Sequence, residues 1–154
     1  MKKNIYLIAC IGLFIDQITK ILANLYLKNV VIIKNFFNLT YVENTGAAWG
    51  ILDNNRIILI GVSIIALLLV NKYINSETEL NKLTITSYGM VLGGILGNLV
   101  DRICRGYVVD FLNFNILGYD FPVFNIADTL IVVGIALMFI EVIRGSYGSK
   151  SRKK

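Results

Sequence analysis

Four apolar stretches, each near the length needed to cross a bilayer, leave this chain few folds to choose from. They run from about residue 4 to 27, 56 to 73, 84 to 104 and 125 to 143. A hydrocarbon core of about 30 Å takes roughly 20 mostly apolar residues when crossed as a helix. Composition agrees, since 56% of the chain is hydrophobic and only 16% charged, against about a quarter charged in soluble proteins. The 154 residues are read as a single membrane domain, 1–154, of the all-α class with four transmembrane helices.

Lys and Arg in short loops are held on the cytoplasmic side. Lys2, Lys3, Lys72, Lys82, Arg144, Lys150, Arg152, Lys153 and Lys154 fall on one side of the four spans, and Lys28, Lys34, Arg56, Arg102 and Arg105 on the other. Both termini are therefore expected in the cytoplasm. The basic surplus sits mainly in a short tail after a span, which suits topology or anionic lipid rather than nucleic acid. That tail, 145–154, is expected to be disordered. The start imitates a signal peptide, but its apolar run continues past Cys10 to about Leu27, which favours an uncleaved first helix. Cys10 and Cys104 have neither metal spacing nor a disulfide pattern.

Both outward connections read as strands. Val30 to Ile33 and Phe36 to Val42 are β-branched and aromatic, and a turn and a re-entrant or interfacial piece should follow Glu43–Gly50. The second connection runs from Gly106 to Asn115, turns around Leu117-Gly118 and continues to Phe124. Paired, the two make a small extracytoplasmic β-sheet against the membrane surface.

The polar residues left beside these spans carry the functional argument, because ionisable groups within a bilayer are costly and rarely kept without a use. Asp110 ends Tyr107-Val108-Val109-Asp110, and Asp128 follows Phe124-Asn125-Ile126-Ala127 at the start of the last span. Both should lie at one depth. Two carboxyls a few ångströms apart cannot easily both ionise, which supplies an acid and a base together at neutral pH. Such a pair hydrolyses a peptide without a covalent intermediate; the alternative is two independent surface carboxylates. Asn125, three residues before Asp128, is placed to orient it. The chain has no histidine, so Ser-His, Cys-His and HExxH chemistries are excluded, and no phosphate-binding loop is present.

Two further clusters are open to more than one reading. Asp16 and Lys20, at i and i+4, share a helix face, either as a self-neutralising pair or as substrate contacts. In the third span Gly93 and Gly97 have the small-xxx-small spacing of close helix packing, while Asn98 and Arg102 share one face near the outer surface. Asp101 reads as structural, either neutralising Arg102 or leaving it to hold a carbonyl. Two rival functions remain: an ion or proton carrier using Asp16, Lys20, Asp101 and Asp128, and a non-enzymatic assembly subunit. The carrier needs polar groups at graded depths, whereas these crowd the outer half.

Five blocks together resemble the lipoprotein signal peptidase, or signal peptidase II, family: Asp16-Gln17-Ile18-Thr19-Lys20, Asn44-Thr45-Gly46-Ala47-Ala48-Trp49-Gly50, the run from Gly93 to Arg102, Gly106-Tyr107-Val108-Val109-Asp110-Phe111, and Phe124 to Asp128. They occur in order over nearly the whole chain. The resemblance implies a bacterial inner-membrane aspartic endopeptidase without a metal or cofactor, whose extracytoplasmic sheet cradles a prolipoprotein. It implies cleavage just before a diacylglyceryl-modified cysteine. On that reading Asp110 and Asp128 are the catalytic pair, and Asp16, Lys20, Asn44, Gly46, Asn98, Arg102, Asn125 and Ala127 shape or line the substrate site. The expected partners are the lipidated substrate and membrane lipid, with no nucleic acid, and the expected state is a monomer. Trp49 departs from the family by standing where phenylalanine is more usual.

Overall fold

The computed structural model describes residues 1–47, 51–77 and 80–151, with side chains described to residue 144. Trp49 lies outside the described residues, as does part of the expected re-entrant piece; residues 51–54 form a turn. The chain order is α1 (Lys2–Tyr26), β1 (Asn29–Ile33), β2 (Phe37–Asn44), α2 (Arg56–Ser76), α3 (Lys82–Cys104), β3 (Val108–Ile116), β4 (Tyr119–Asp120) and α4 (Ile126–Ser151). Each of the four helices contains a segment long and apolar enough to cross a membrane. Large apolar side chains such as Phe14, Ile57, Leu68, Val132 and Phe139 stay exposed along them, as lipid-facing surfaces require.

The helix α3 is the hub, packed on α1, α2 and α4. In lipid there is no hydrophobic drive between apolar helices, so close van der Waals approach must hold them. Glycines supply it. A Cβ on Gly93 would sit 2.8 Å from the Ala9 carbonyl oxygen, and one on Gly97 would sit 2.5 Å from the Asp16 carboxylate and 3.1 Å from Ala127 Cβ. Helix ends are tied by side chains: Asn81 Oδ1 accepts the Thr84 N–H at 2.9 Å to cap α3. At the other end of α3, the Arg56 guanidinium donates to the Arg102 and Ile103 carbonyls at 2.6 and 2.8 Å.

The strands form one antiparallel sheet in the order β1-β2-β3-β4. In its central pair Leu39 faces Leu112, and after an irregularity Val42 faces Asp110 and Asn44 faces Val108. The turn at Leu117-Gly118 has positive φ at both positions, +54° and +86°, the backbone twist that joins tight hairpins. Beyond it β4 is only two residues long, and Phe124 rejoins through an isolated bridge to Leu112. Pro122 lacks the N–H that a continuous ladder needs. Phe114 stacks between Phe37 and Phe124, with centroids 4.4 and 5.7 Å apart. Beneath the sheet Val109 and Phe111 pack with Ala23 from α1.

The helix α4 runs to Ser151. No proline interrupts its backbone ladder, and its glycines each cost only about 1 kcal/mol relative to alanine.

The glycine contacts predict opposite signs for one substitution at two positions. Gly93→Ala should destabilise the detergent-solubilised protein by about 1–3 kcal/mol, because the Ala9 backbone cannot yield. Gly61→Ala, where nothing lies within 4 Å of the new methyl, should be neutral or stabilising by up to about 1 kcal/mol. Thermal melts of the two variants beside the parent provide the comparison, and equal effects would refute the packing argument.

Candidate active site

Two chain reversals deliver the two aspartates. After α3, Gly106 takes φ +91°, a left-handed conformation that suits glycine, and the chain turns back into β3 of the sheet. Its first residues, Val108 to Phe111, are all buried, and Asp110 is 2% exposed. At the start of α4, the Asp128 N–H donates to Asn125 Oδ1 at 2.9 Å and the Asn125 N–H donates to Asp128 Oδ2 at 3.3 Å. This is a reciprocal capping box with aspartate in the third position. It fixes the Asp128 carboxyl at a helix N-terminus, where negative charge is favoured.

The two carboxyls meet at one cavity of about 780 Å³, lined also by Asn44, Asn98 and Arg102. Among the described residues they are not hydrogen-bonded to each other; amides hold them. Asn125 Nδ2 donates to Asp110 Oδ1 at 2.6 Å, Asn44 Nδ2 donates to Asp110 Oδ2 at 2.8 Å, and Asn98 Nδ2 donates to Asp128 Oδ1 at 2.7 Å. Asn98 Oδ1 in turn accepts from Asn125 Nδ2 at 3.2 Å, so an amide pair bridges the aspartates. Asn125 thus touches both carboxyls, where sequence reasoning gave it only one.

Burial, reinforced by the charge of Asp128, lifts the Asp110 carboxyl to about 7, against the opposing pull of the Asn44 and Asn125 amides and of Lys20. An acid poised near neutrality is what proton transfer at physiological pH requires.

The remaining candidate residues lie behind the cavity wall. Asp16, Lys20, Asn125 and Ala127 are each 0% exposed. The Lys20 ammonium bonds Asp16 Oδ2 at 2.9 Å, Asp101 Oδ2 at 3.1 Å and Asn98 Oδ1 at 2.9 Å. The other Asp16 oxygen accepts the Ala127 N–H at 2.8 Å, and Asp101 accepts the Val109 N–H at 3.1 Å. Asp101 also pairs with Arg105, not with its neighbour Arg102. Gln17, which drew no argument of its own from sequence, donates to Asp16, the Gly97 carbonyl and Asp101 at 3.1–3.2 Å. The clue to Arg105 was its i+4 spacing from Asp101.

Arg102 points the other way, into the cavity. Its Nη2 donates to the Gly46 carbonyl at 3.0 Å, and Gly46 N–H donates to Asn44 Oδ1 at 2.9 Å, which ties the loop after β2 to the site. Among the described residues its Nε is buried without a hydrogen-bond partner. The opposite wall is apolar, with Phe121, Val123, Ile131 and Val132. A carboxyl pair, a guanidinium and an apolar wall together suit hydrolysis of a peptide that carries apolar groups.

Comparison with known proteins agrees with this geometry. Residues 8–144 match the family described as Signal peptidase (SPase) II. A lipoprotein signal peptidase of Clostridium tetani is 38% identical over 151 residues, covering 96% of each chain. One from Halothermothrix orenii is 43% identical over 141 residues, covering 88% of this chain and 92% of that protein. A solved structure described as a bacterial membrane enzyme superposes with a TM-score of 0.86 at 33% identity, covering 94% of this chain and 90% of that one. A second structure so described gives 0.82 at 35% identity, covering 91% and 92%. With the family matched over most of its length and relatives above 30% identity across it, the chain belongs to the signal peptidase II family of membrane proteases.

Proposed function

We propose that Asp110 and Asp128 cleave the signal peptide from diacylglyceryl-modified prolipoproteins, just before the lipidated cysteine, at the outer face of a bacterial cytoplasmic membrane. The observation that carries this reading is the convergence of two carboxyls, 18 residues apart in number, on one cavity with a shared amide bridge. Asp128, at a helix N-terminus with an amide on one oxygen and a backbone N–H on the other, acts as the base. Asp110, lifted to about 7, acts as the acid. Water adds to the scissile carbonyl carbon as its proton passes to Asp128 and the Asp110 proton passes to the carbonyl oxygen. The C–N bond then breaks as Asp128 returns its proton to the leaving nitrogen, and a hydroxyl proton of the collapsing diol restores Asp110.

Asn44, Asn98 and Arg102, which line the cavity, bind and orient the peptide's polar groups. Such groups cost several kcal/mol each if left unpaired in hydrocarbon. The apolar wall along α4 accommodates the acyl chains, which keep the scissile bond at the interface. The orientation is supported by four spans with Lys2, Lys3, Lys72, Lys82 and Arg144 at the end away from the sheet. Both termini are then cytoplasmic. The working unit is a monomer, since both carboxyls come from one chain.

Asp110→Asn and Asp128→Asn should each lower signal-peptide release from a diacylglyceryl-modified prolipoprotein by roughly 10³-fold or more, while inserting and melting like the parent. Full cleavage by either variant, or equal cleavage of unmodified prolipoprotein by the parent, would refute the reading. A pH prediction follows from the assignment of the acid. Because Asp110 is raised to about 7, its protonated form dominates below that value and falls about tenfold per unit above it. Turnover in proteoliposomes should therefore decline on the alkaline side of about 7, and a rate that rises through pH 8 would contradict the role given to Asp110.

A further inference from the structure

We propose that Lys20 is a positioning residue for the aspartate pair, acting through the side-chain amide of Asn98; this rests on the peptidase reading of that pair. Lys20 is fully buried and takes no part in the cavity wall, so it does not meet substrate. Two of its ammonium contacts go to Asp16 and Asp101, but the third goes to Asn98 Oδ1 at 2.9 Å. Neutralisation alone does not call for that third contact. Asp101 has a second cation in Arg105, so two carboxylates already face two cations in this cluster.

The third contact decides which way the Asn98 amide faces. A carboxamide has a donor end and an acceptor end that differ little in shape and can exchange by rotation. Here Oδ1 receives Lys20 and Asn125 Nδ2, while Nδ2 gives its hydrogen to Asp128 Oδ1. Rotated, the amide would set N–H against two donors and an oxygen against a carboxylate. With Lys20 in place one orientation is satisfied and the other is repelled at both ends. The donor that Asp128 needs in its ionised form is thereby fixed from α1, through α3, to α4. Without Lys20, the Oδ1 end is held only by Asn125, over a longer contact of 3.2 Å.

Lys20 also bears on Asp110. The groups facing that carboxyl are Lys20 from α1, Arg102 from α3, Asp128 from α4 and the neutral amides of Asn44 and Asn125. Removing one of the two cations favours the protonated acid and moves the alkaline limb of the pH profile upward.

The test is a kinetic double-mutant cycle with Lys20→Met and Asn98→Ala, on diacylglyceryl-modified prolipoprotein in proteoliposomes. Lys20→Met should lower kcat about tenfold, the worth of one charge-assisted hydrogen bond, with KM changed less than about twofold and the alkaline limb raised. In the Asn98→Ala background the same substitution should cost no further kcat, because the amide it positions is gone. An equal loss in both backgrounds, or an unaltered kcat in Lys20→Met alone, would overturn the proposal. Should Lys20→Met fail to fold, the same cycle is run with Lys20→Arg, which keeps a cation but changes its reach, and the same additivity decides. Failure of the peptidase reading itself looks different, because the parent protein would then leave the lipidated substrate uncut.

Discussion

The buried ion cluster around Lys20 is the interaction on which the rest of the structure depends. Charge inside a membrane protein is tolerable only when fully paired and hydrogen-bonded, and the partners here come from two helices and reach two further elements. Asp16 and Lys20 stand on α1, Asp101 and Arg105 at the C-terminal end of α3. Asp16 reaches the α4 backbone at Ala127, and Asp101 reaches the β3 backbone at Val109. Those two residues lie immediately before Asp110 and Asp128 in the chain. The cluster therefore sets where both carboxyls stand, and it works only because Gly97 lets α1 approach α3 closely enough for the Asp16 carboxylate to lie where a methyl would be.

How much of this was legible in the sequence depends on whether the information was local. The spans were readable from apolar length, and the hairpin turn from Leu117-Gly118. The two aspartates that line one cavity were readable as a pair because one stands at the end of an apolar run and the other at the start of the last span. Asp16 and Lys20 were readable as a pair because i and i+4 share a helix face. The partner of Asp101 was not, since adjacent helical residues diverge by about 100° and Arg102 is carried round to the cavity. The second role of Asn125 was hidden for another reason: it depends on the β3 strand placing Asp110 opposite the start of α4, a contact between segments whose spacing nothing local determines. Gln17 was passed over because an amide on an apolar helix gives no pattern until its three acceptors are seen together.

The placement of amides rather than charges around the carboxyls has a consequence for the reaction. A cation bonded directly to Asp110 would hold it ionised and remove the acid from the pair. Asn44 and Asn125 satisfy its oxygens without supplying a full charge, so burial can still lift it to about 7. Arg102 and Lys20 act on it from a distance, and their buried locations give that action more reach than it would have in water. Asp128 receives the opposite treatment, with a helix N-terminus, a backbone N–H and an amide whose direction Lys20 and Asn125 set. Two identical side chains are thereby given different surroundings, one buried among neutral amides and the other at a helix N-terminus. A histidine-free chain needs that division, because an acid and a base must then be made from the same functional group.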